Sequence, residues 1–503
     1  MPCIPVLIVG AGPTGLTLAL RLARHGVPFR IVDQASGPGL ASRAMALQAR
    51  TLEFYGQLGL ADAVVARGTR VEAAHFREDG REVASLSLRD IGAGMSPYPF
   101  VLSLPQDDHE RFLVDQLAVH GIAVEWGTAL QGFTDHGARV SAVLRRNGTD
   151  EACEAAYLCG CDGAHSAVRQ QLGLGFPGGT YDQLFYVADV AVAGPATTDL
   201  FVNLGERSLV LMLPVRSTGM QRLIGIVPPE LEGQTGVAFE DVRPFAEALL
   251  GIKVERANWF ATYRVHHRVA ARFRVGRAFI LGDAGHLHSP AGGQGMNTGI
   301  GDAVNLSWKL AHVIQGRVGS GLLDTYEPER IAFARKLVET TDRAFGSMVG
   351  RGWGSRVLRR WLLPHVLPKL TGLALVRRAM FSTLSQTRIN YRGSALSEGQ
   401  AGNVRGGDRL PWLGSNYATL NGLDWRLQVY GAVDQGMTAA AAVMGVPVDC
   451  FDGNEVAERE GFKRDAAYLL RPDGHVASAL PGQDVAALKA YAARIGLVAC
   501  PLR

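Results

Sequence analysis

The chain has 503 residues, enough to bury a large core and to form two or three domains. Its hydrophobic content of 47% and charged content of 19% exclude an intrinsically disordered protein. The formal net charge of +4 argues against nucleic-acid binding, and no apolar run reaches the ~20 residues needed to cross a bilayer.

The first predicted elements form a nucleotide-binding unit. The apolar run Pro5–Val9 predicts a buried parallel strand, and the sequence GAGPTG follows it directly. A helical pattern comes next, and a second strand, Pro28–Val32, ends on Asp33. Strand, GxGxxG, helix, strand and acid together are the dinucleotide-binding fingerprint. We expect its glycines to admit a pyrophosphate at the helix N-terminus and Asp33 to bind a ribose. The glycines are Gly10, Gly12 and Gly15.

Two arginines and a helix are predicted in the region that follows. Arg43 and Arg50 have a spacing that suits anion recognition, although solvated surface arginines would give the same pattern. A helix is predicted from Asp107, with Asp107 or Asp108 as its cap, directly after Gln106.

The middle of the chain predicts antiparallel sheet and a second acidic turn. The turn Asp162-Gly163 joins the last predicted strand of a meander to a helix. From about Phe176 to Tyr263 the pattern alternates, as expected for an inserted antiparallel sheet. The meander strands are predicted near Ala123–Trp126, Arg139–Arg145 and Ala152–Leu158.

A second glycine-rich signature lies at residues 282–302, reading GDAGHLHSPAGGQGMNTGIGD. The apolar strand Ala278–Leu281 precedes it, and a helix is predicted to begin near Asn297. Its glycines leave room for a flat ligand close to the backbone, and the helix start offers free N–H groups. Asp283 can accept hydrogen bonds from sugar hydroxyls. The loop alone is also compatible with a purely structural role.

The C-terminal third predicts helices to about residue 387 and then a small α/β domain. The segment Trp361–Met380 is apolar with three basic residues, but prolines and a glycine interrupt its helical pattern, so membrane contact is not favoured. Residues Gly393–Gly407 are predicted to form a linker. No second strand–GxGxxG–helix unit occurs after the first.

Cysteine usage indicates a reducing compartment. Six cysteines occur without a Cys-x-x-Cys pair, so we expect buried free thiols and neither a disulfide framework nor a metal site. The fingerprint strand starts so early that we expect no signal peptide and a cytoplasmic location.

The three motifs, in this order, resemble those of class A FAD-dependent aromatic hydroxylases: GxGxxG, Asp162-Gly163 to Arg169, and Gly282-Asp283 to Asn297. The resemblance covers about residues 4–390. The remainder resembles the thioredoxin-like third domain of phenol and polyketide hydroxylases, without a Cys-x-x-Cys pair and therefore without an assigned redox role.

The resemblance implies an α/β fold class with three domains. A Rossmann-like FAD-binding domain is expected from residues 1–72, 99–176 and 270–390. An antiparallel β-sheet substrate domain is expected from residues 73–98 and 177–269. A thioredoxin-like α/β domain is expected from residues 391–503.

The resemblance also implies roles for particular residues. The fingerprint glycines and Asp33 hold noncovalent FAD, Arg43 lies beside the flavin, and Gln106 lies near the ribityl chain. Asp162 bridges the cofactor and the nicotinamide region, and Asp283 binds the ribityl or pyrophosphate group. The segment from Pro290 to Asn297 wraps the isoalloxazine; its assigned residues are Pro290, Gly293, Gly295, Met296 and Asn297. The sequence departs from the family pattern with Asp33 for Glu, Gly285 for Ala, Ser289 for Pro and Gly301 for Gln.

The implied activity is hydroxylation of a phenolic or polycyclic aromatic substrate with NAD(P)H and O2, through a C4a-hydroperoxyflavin. The resemblance, together with the nearby Arg43 and Arg50, favours transient NADPH over NADH. Epoxidation, Baeyer–Villiger oxidation or antibiotic inactivation on the same scaffold remain open, as does a non-catalytic flavin-binding protein. A homodimer is one expectation for the oligomeric state.

The substrate is expected between the inserted sheet and the flavin loop, where enclosure keeps water out. Arg43, Pro290 and Gly295 are the expected catalytic positions. The expected substrate contacts are Leu211, Met212, Ile224 and Pro290. The base that activates a phenol is left open; its candidates, which also suit ordinary sheet positions, are Tyr263, Arg264, His266 and His267.

Overall fold

The computed structural model describes residues 3–39, 44–205, 208–234, 236–289, 292–349, 352–357, 361–362, 366 and 373–497. The strands are β1 Ile4–Val9, β2 Phe29–Asp33, β3 Ala46–Leu47, β4 Thr69–Arg70, β5 Ala73–Glu78, β6 Arg81–Ser87, β7 Leu102–Ser103, β8 Glu125–Trp126, β9 Thr128–Asp135, β10 Val140–Arg146, β11 Thr149–Gly160, β12 Gly178–Val192, β13 Leu200–Gly205, β14 Ser208–Val215, β15 Met220–Ile226, β16 Val254–Val269, β17 Arg274–Val275, β18 Ala278–Ile280, β19 His286–Leu287, β20 Glu398–Ala401, β21 Val404–Arg405, β22 Arg426–Tyr430, β23 Val448–Phe451, β24 Ala467–Leu470 and β25 Val476–Leu480. The helices are α1 Pro13–Arg24, α2 Ala49–Gly56, α3 Ala61–Arg67, α4 Gln106–Val119, α5 Ala167–Gln171, α6 Phe239–Leu250, α7 Gly295–Ile314, α8 Tyr326–Val349, α9 Trp353–Val357, α10 Ala374–Leu384, α11 Gln435–Val443, α12 Glu455–Arg459 and α13 Val485–Ile495.

The first sheet has the strand order β17-β18-β11-β1-β2-β8, with β10 and β9 continuing antiparallel from β11. Strands β18, β11, β1 and β2 run parallel, so their carboxyl ends share one edge. Strand β1 is central and almost fully buried, as its unbroken apolar run predicts. The sequence interpretation missed β9, whose glycine and polar residues carry a weak strand pattern. Its pairing with β10 supplies what local propensity does not.

The second sheet has the order β19-β16-β12-β15-β14-β13-β5-β6 and is antiparallel except for the parallel pair β13–β5. Helix α6 covers one face, where Tyr186, Met212 and Leu223 form one buried cluster with Val242. The sequence interpretation missed α6 because it treated the whole region as strands. The opposite face carries Phe185, Val202, Leu204 and Ile226, packed against Phe345 of α8.

The third sheet has the order β21-β20-β25-β24-β22-β23. The prediction of a linker at residues 393–407 is wrong for the residues of β20 and β21. Strand β20 pairs with β25, and β21 pairs with β20. Trp308 of α7 enters the core of this third unit, with its ring centroid 5.6 Å from that of Trp425. Within the described residues, no helix is long and apolar enough to span a membrane.

Charged side chains buried between the first and third sheets tie the two units together. Arg409 contacts the Glu53 carboxylate, and its Nε lies 2.9 Å from Glu53 Oε2. Arg471 makes two hydrogen bonds to Glu329, at 2.8 and 3.0 Å. Arg50, only 2% exposed, pairs with Glu53 and donates to the backbone oxygen of Asp473. The expectation that Arg50 recognises an exogenous anion is therefore wrong, because its guanidinium is buried and already bound to Glu53 and to the backbone oxygen of Asp473.

Candidate cofactor site

The fingerprint glycines have two different structural roles: two allow close backbone packing, and one leaves space at the helix N-terminus. A Cβ on Gly10 would lie 2.3 Å from the carbonyl oxygen of Cys161, and one on Gly15 would lie 1.9 Å from the oxygen of Gly10. These two positions are glycine because the turn packs on itself and on β11. Among the described residues, a Cβ on Gly12 would meet only Glu110 Oε1, at 4.0 Å. Gly12 therefore faces open space at the N-terminus of α1, where a pyrophosphate can approach.

Asp33 closes this turn at the end of β2. Its Oδ2 accepts a hydrogen bond from the backbone N–H of Ala11 at 2.7 Å, and Oδ1 accepts from Ala35 at 2.8 Å. Each oxygen of a carboxylate can accept more than one hydrogen bond. The acid is thus held in place by the fingerprint loop while keeping acceptor capacity for a ribose.

Glu110 is a site residue that the sequence interpretation missed. Its Oε1 accepts from Gln106 Nε2 at 2.7 Å, and Oε2 accepts from the backbone N–H of Gly39 at 3.0 Å. Burial raises the pKa of this carboxyl group. The spacing of Gln106 and Glu110, one turn apart on α4, was the available signal. Helix α4 begins at Gln106 itself, so Asp107 and Asp108 lie in its first turn and the N-cap residue is Pro105.

One side-chain oxygen of Asp162 has no hydrogen-bond partner in the part of the chain that the structure describes. Its Oδ2 accepts from the backbone N–H of Val168 at 3.1 Å, whereas Oδ1 is buried without a hydrogen-bond partner among the described residues. Burial raises the pKa of this carboxyl group. Arg169 ties the turn to the second signature by donating to the oxygen of Ala284 at 2.9 Å. An unpartnered buried acceptor at this edge is what a ligand hydroxyl or amide would satisfy.

The buried carboxylate of Asp302 binds the backbone of the Gly282-Asp283 turn. Asp302 is a second residue that sequence reasoning missed. Asp302 Oδ2 accepts from the N–H of Gly282 at 2.9 Å and contacts His286 Nε2 at 2.7 Å. Arg330 donates to Asp302 Oδ1 at 2.5 Å. Burial disfavours the charged carboxylate, but Arg330 and His286 outweigh it and lower the pKa of Asp302. Asp283 itself has an exposed side chain.

The glycine-rich loop leads into α7, which begins at Gly295. Gly293 has a φ of +61°, and its Cα approaches Ala46 so closely that a Cβ would lie 2.8 Å from the Ala46 Cβ. The N–H groups of the first turn, Gly295 to Asn297, have no partner inside the helix. They direct the positive end of the helix dipole toward the loop, where it favours a negatively charged group. Arg43 and Pro290 lie outside the described residues.

Asn297 differs from the expectation for its side chain. Its Oδ1 accepts from Gln48 N at 2.9 Å and Thr51 Oγ1 at 2.7 Å, and its Nδ2 donates to Ala46 O and Gly293 O. The amide therefore clamps residues 46–51 to the loop, and only the backbone N–H remains for a ligand. Met296 is partly buried and packs against the main core.

His288 is a further polar group at this loop that sequence reasoning did not identify. Its Nδ1 lies 2.8 Å from the carbonyl oxygen of Ser289, so Nδ1 carries the proton. Nε2 is buried without a partner among the described residues and lies 3.5 Å from the position of a Cβ on Gly295. Burial lowers the pKa of His288 to about 4, which keeps the ring neutral at pH 7.

The expected substrate contacts fall on both faces of the second sheet. Leu211 is directly opposite Ile224 across β14 and β15, so the two share the face that looks away from α6. Met212 belongs to the core under α6, so the expectation that it contacts substrate is wrong. Side chains of successive strand residues point to opposite faces, which excludes adjacent Leu211 and Met212 from one site.

The same alternation sorts the candidate bases. Tyr263 packs with Phe185 on the face away from α6, and His267 contacts the Tyr181 ring with centroids 4.9 Å apart. Arg264 and His266 point to the other face, where His266 Nδ1 lies 2.7 Å from Thr180 Oγ1. Of the four candidates, Tyr263 and His267 lie on the same face of the sheet as Leu211 and Ile224.

The residues at this edge fit an FAD molecule. Gly12 leaves open space at a helix N-terminus, Asp33 and Glu110 supply acceptors beside it, and Asp162 Oδ1 is an unsatisfied acceptor further along. Residues 3–341 match the family model of the FAD binding domain. The chain belongs to this FAD-binding family.

Several relatives of this FAD-binding protein are monooxygenases or hydroxylases. It is 35% identical to 6-methylpretetramide 4-monooxygenase of Streptomyces rimosus, with 94% of this chain and 90% of that protein covered. It is 30% identical to rifampicin monooxygenase of Streptomyces venezuelae, with 94% of each covered. The structure of aklavinone-11 hydroxylase with FAD and aklavinone superposes with a TM-score of 0.79 at 27% identity, covering 98% of both chains. These matches confirm the α/β class, the resemblance to class A FAD-dependent aromatic hydroxylases, and FAD as cofactor of a monooxygenase.

Asp162→Asn is expected to weaken FAD binding by about tenfold or more. The variant keeps an acceptor for Val168 but replaces the unpartnered oxygen by an amide donor, and hydrogen bonds to charged groups contribute about 1.5–3 kcal/mol. Titration of the apoprotein with FAD, followed by flavin fluorescence, measures the dissociation constant. Asp150→Asn, on an exposed hairpin, is the control. Equal affinities for both variants and the wild type would remove Asp162 from the site.

Proposed function

We propose that the protein uses NAD(P)H and O2 to hydroxylate a phenolic or polycyclic aromatic polyketide. The observation that carries the proposal is the meeting of three motifs at one sheet edge. The carboxyl ends of β1, β11 and β18 bring Gly10, Cys161 and Gly282 side by side, with Asp162 between two nucleotide signatures. The full-length similarity to monooxygenases of aromatic compounds supports the same activity.

The roles of the residues follow from their positions. Gly12 admits the pyrophosphate to the α1 N-terminus, and Asp33 and Glu110 accept hydrogen bonds from the adenosine half. Asp162 and Asp283 hold the sugar-alcohol chain. The first turn of α7 stabilises negative charge on the ring system. FAD, when bound, would accept two electrons from NAD(P)H and pass them to O2.

The aromatic substrate is placed against the apolar face of the second sheet that looks away from α6. Leu213 and Val215 of this face form a cluster with Met45. Phe185 and Ile226 continue the face toward Phe345 of α8. Such a surface excludes water and fits a flat ring system, which the oxygen-transfer step requires. Tyr263 and His267 are the proposed acceptors for a phenolic proton.

NADPH remains the proposed reductant, although the reason for it changes. Arg50 cannot contact a 2′-phosphate because it is buried against Glu53 and Asp473. Arg43 remains the proposed contact. Comparing flavin reduction by NADPH and NADH in Arg43→Ala and wild type tests this role.

A homodimer is proposed as well, and the molar mass in solution tests it.

Antibiotic inactivation is the second candidate function. The specific observation in its favour is the 30% identity to rifampicin monooxygenase across 94% of the chain. A non-catalytic flavin-binding role is disfavoured by the unused Asp162 oxygen and the open Gly12. The location of the protein is proposed to be cytoplasmic, in line with its free cysteines.

The deciding experiment is substrate-stimulated NADPH oxidation across a panel of phenols, anthraquinones, linear tetracyclic polyketides and ansamycins, with product masses. A hydroxylated aromatic product, 16 mass units heavier, supports the proposal. Stopped-flow flavin reduction should be faster with the true substrate present. A panel-wide absence of stimulation in FAD-loaded enzyme would contradict the proposed activity.

Leu211→Trp is expected to raise the KM for the aromatic substrate at least about tenfold without changing FAD content. The added indole would fill space on the sheet face that we assign to the substrate, where Leu211 is only partly buried. Val143→Trp on β10 is the control, because Val143 is 41% exposed and lies in the first sheet. An unchanged KM in Leu211→Trp would place the substrate elsewhere.

A further inference from the structure

A continuous chain of buried hydrogen bonds runs from the Gly282-Asp283 turn to the C-terminal unit. Gly282 N–H and His286 bind one oxygen of Asp302, and Arg330 donates to the other at 2.5 Å. The same guanidinium donates to the backbone oxygen of Thr298 at 3.0 Å, in the first turns of α7. Its remaining arm donates to the hydroxyl of Tyr391 at 2.9 Å.

Tyr391 is fixed from the C-terminal side. Its N–H donates to Gly407 O at 2.7 Å, and its ring centroid lies 4.4 Å from that of His475. The Arg471 guanidinium carbon lies 4.9 Å from the same ring. The ring is 6% exposed, and burial raises the pKa of its hydroxyl, which therefore stays neutral. Tyr391 thus belongs mechanically to the third sheet while its hydroxyl reaches Arg330.

We propose that Tyr391 is a positioning residue through which the C-terminal domain fixes the Gly282-Asp283 turn and the start of α7 for FAD. Arg330 is the hub, since its three donor groups reach Asp302, Thr298 and Tyr391 from one planar group. The guanidinium is planar and rigid, so the position of its third arm also affects the orientation of the other two. The hydroxyl of Tyr391 fixes that third arm. The C-terminal domain therefore contributes to cofactor binding without touching the cofactor.

The proposal rests on FAD binding at this edge and not on the identity of the aromatic substrate. Loss of the Tyr391 hydroxyl leaves a buried guanidinium N–H unpaired and lets Arg330 move. Asp302 would follow Arg330, and the N–H of Gly282 would lose its fixed acceptor. The effect on FAD is then a coupling between two sites, for which about 5- to 150-fold is typical.

The test compares Tyr391→Phe with Tyr491→Phe. Tyr491 is a matched control because it is 1% exposed and its hydroxyl donates one hydrogen bond, to Leu396 O at 2.8 Å, inside the C-terminal domain. The apoproteins are titrated with FAD, and the visible circular dichroism of the bound flavin and the melting temperature are recorded. We expect the Kd for FAD to rise about tenfold in Tyr391→Phe, with an altered flavin signal. Tyr491→Phe should lower the melting temperature to a similar extent and leave the Kd unchanged.

Several outcomes would overturn the proposal. An FAD Kd in Tyr391→Phe within about twofold of wild type would do so, as would an equal rise in Tyr491→Phe, which indicates general destabilisation. If Tyr391→Phe does not fold, Arg330→Lys replaces it, because a lysine keeps the charge beside Asp302 but cannot reach three partners. Normal FAD affinity in that variant contradicts the relay. Failure of wild-type protein to bind FAD would instead contradict the proposed function.

Discussion

Gly12→Ala is expected to lose FAD while keeping the fold. Within the described ranges the added methyl group meets only Glu110 Oε1, at 4.0 Å, so we expect the apoprotein to accommodate it. The same methyl group occupies the space in which the pyrophosphate approaches the N-terminus of α1. We expect the Kd for FAD to rise about 100-fold, or about 2.7 kcal/mol, with an apoprotein melting temperature close to that of wild type.

Gly15→Ala is the contrasting variant. Its Cβ would lie 1.9 Å from the oxygen of Gly10, and the turn between β1 and α1 cannot relax around backbone atoms. We expect little folded protein from it. Low melting temperatures for both variants would mean that Gly12 also serves packing, and tight FAD binding by Gly12→Ala would place the pyrophosphate elsewhere.

Glu329→Gln is expected to destabilise the protein by about 3–5 kcal/mol, the usual effect of breaking a buried ion pair. Five donors converge on this one carboxylate. Their distances lie between 2.6 and 3.0 Å, and the donor residues are Asn305, Lys309, Ser394 and Arg471, the last donating twice. A glutamine offers one oxygen and points an N–H₂ group at cations that are already buried. Denaturant unfolding of the FAD-loaded protein measures the loss.

The matched control is Glu460→Gln, which removes a partly exposed pair with Arg378. Surface pairs contribute about 0–1 kcal/mol, so this variant should be nearly silent. The pKa of Glu329 is lowered from 4.5 to about 2, with Arg471 and Lys309 outweighing the effect of burial. The ionised group therefore stabilises the fold fully above about pH 4.5, and its contribution is lost as the pH falls toward 2. The gap between wild type and Glu329→Gln should narrow over that range, and a pH-independent gap would contradict the assignment.

The buried charges change how the C-terminal domain is understood. A docking module joined by a linker would present a separable surface, but this domain shares Glu53, Glu329 and Trp308 with the cofactor-binding part. Its first residues form strands β20 and β21 rather than a linker. Removal of the domain would break two buried ion pairs that cross this interface, Arg409 with Glu53 and Arg471 with Glu329.

Local sequence determined the nucleotide elements by itself. The apolar run before GAGPTG predicts a buried strand, and glycine is required at position 15 by a contact with Gly10 in the same short turn. The same holds for the strand before Gly282 and the helix that begins at Gly295. These signals were readable because periodicity and turn chemistry act between residues that are close along the chain.

Tertiary structure decided which polar groups are available to ligands. Arg50 and Asn297 stand in sequence patterns that suit ligand binding. In the structure, both side chains form hydrogen bonds with partners more than 200 residues away. Met212 and Leu211 look equivalent in sequence, but α6 covers the face that carries Met212. Glu110, Asp302 and Tyr391 gain their roles only because distant strands and helices meet around them. Hydrogen bonding and burial depend on what packs nearby, and that information is not contained in any local stretch of sequence.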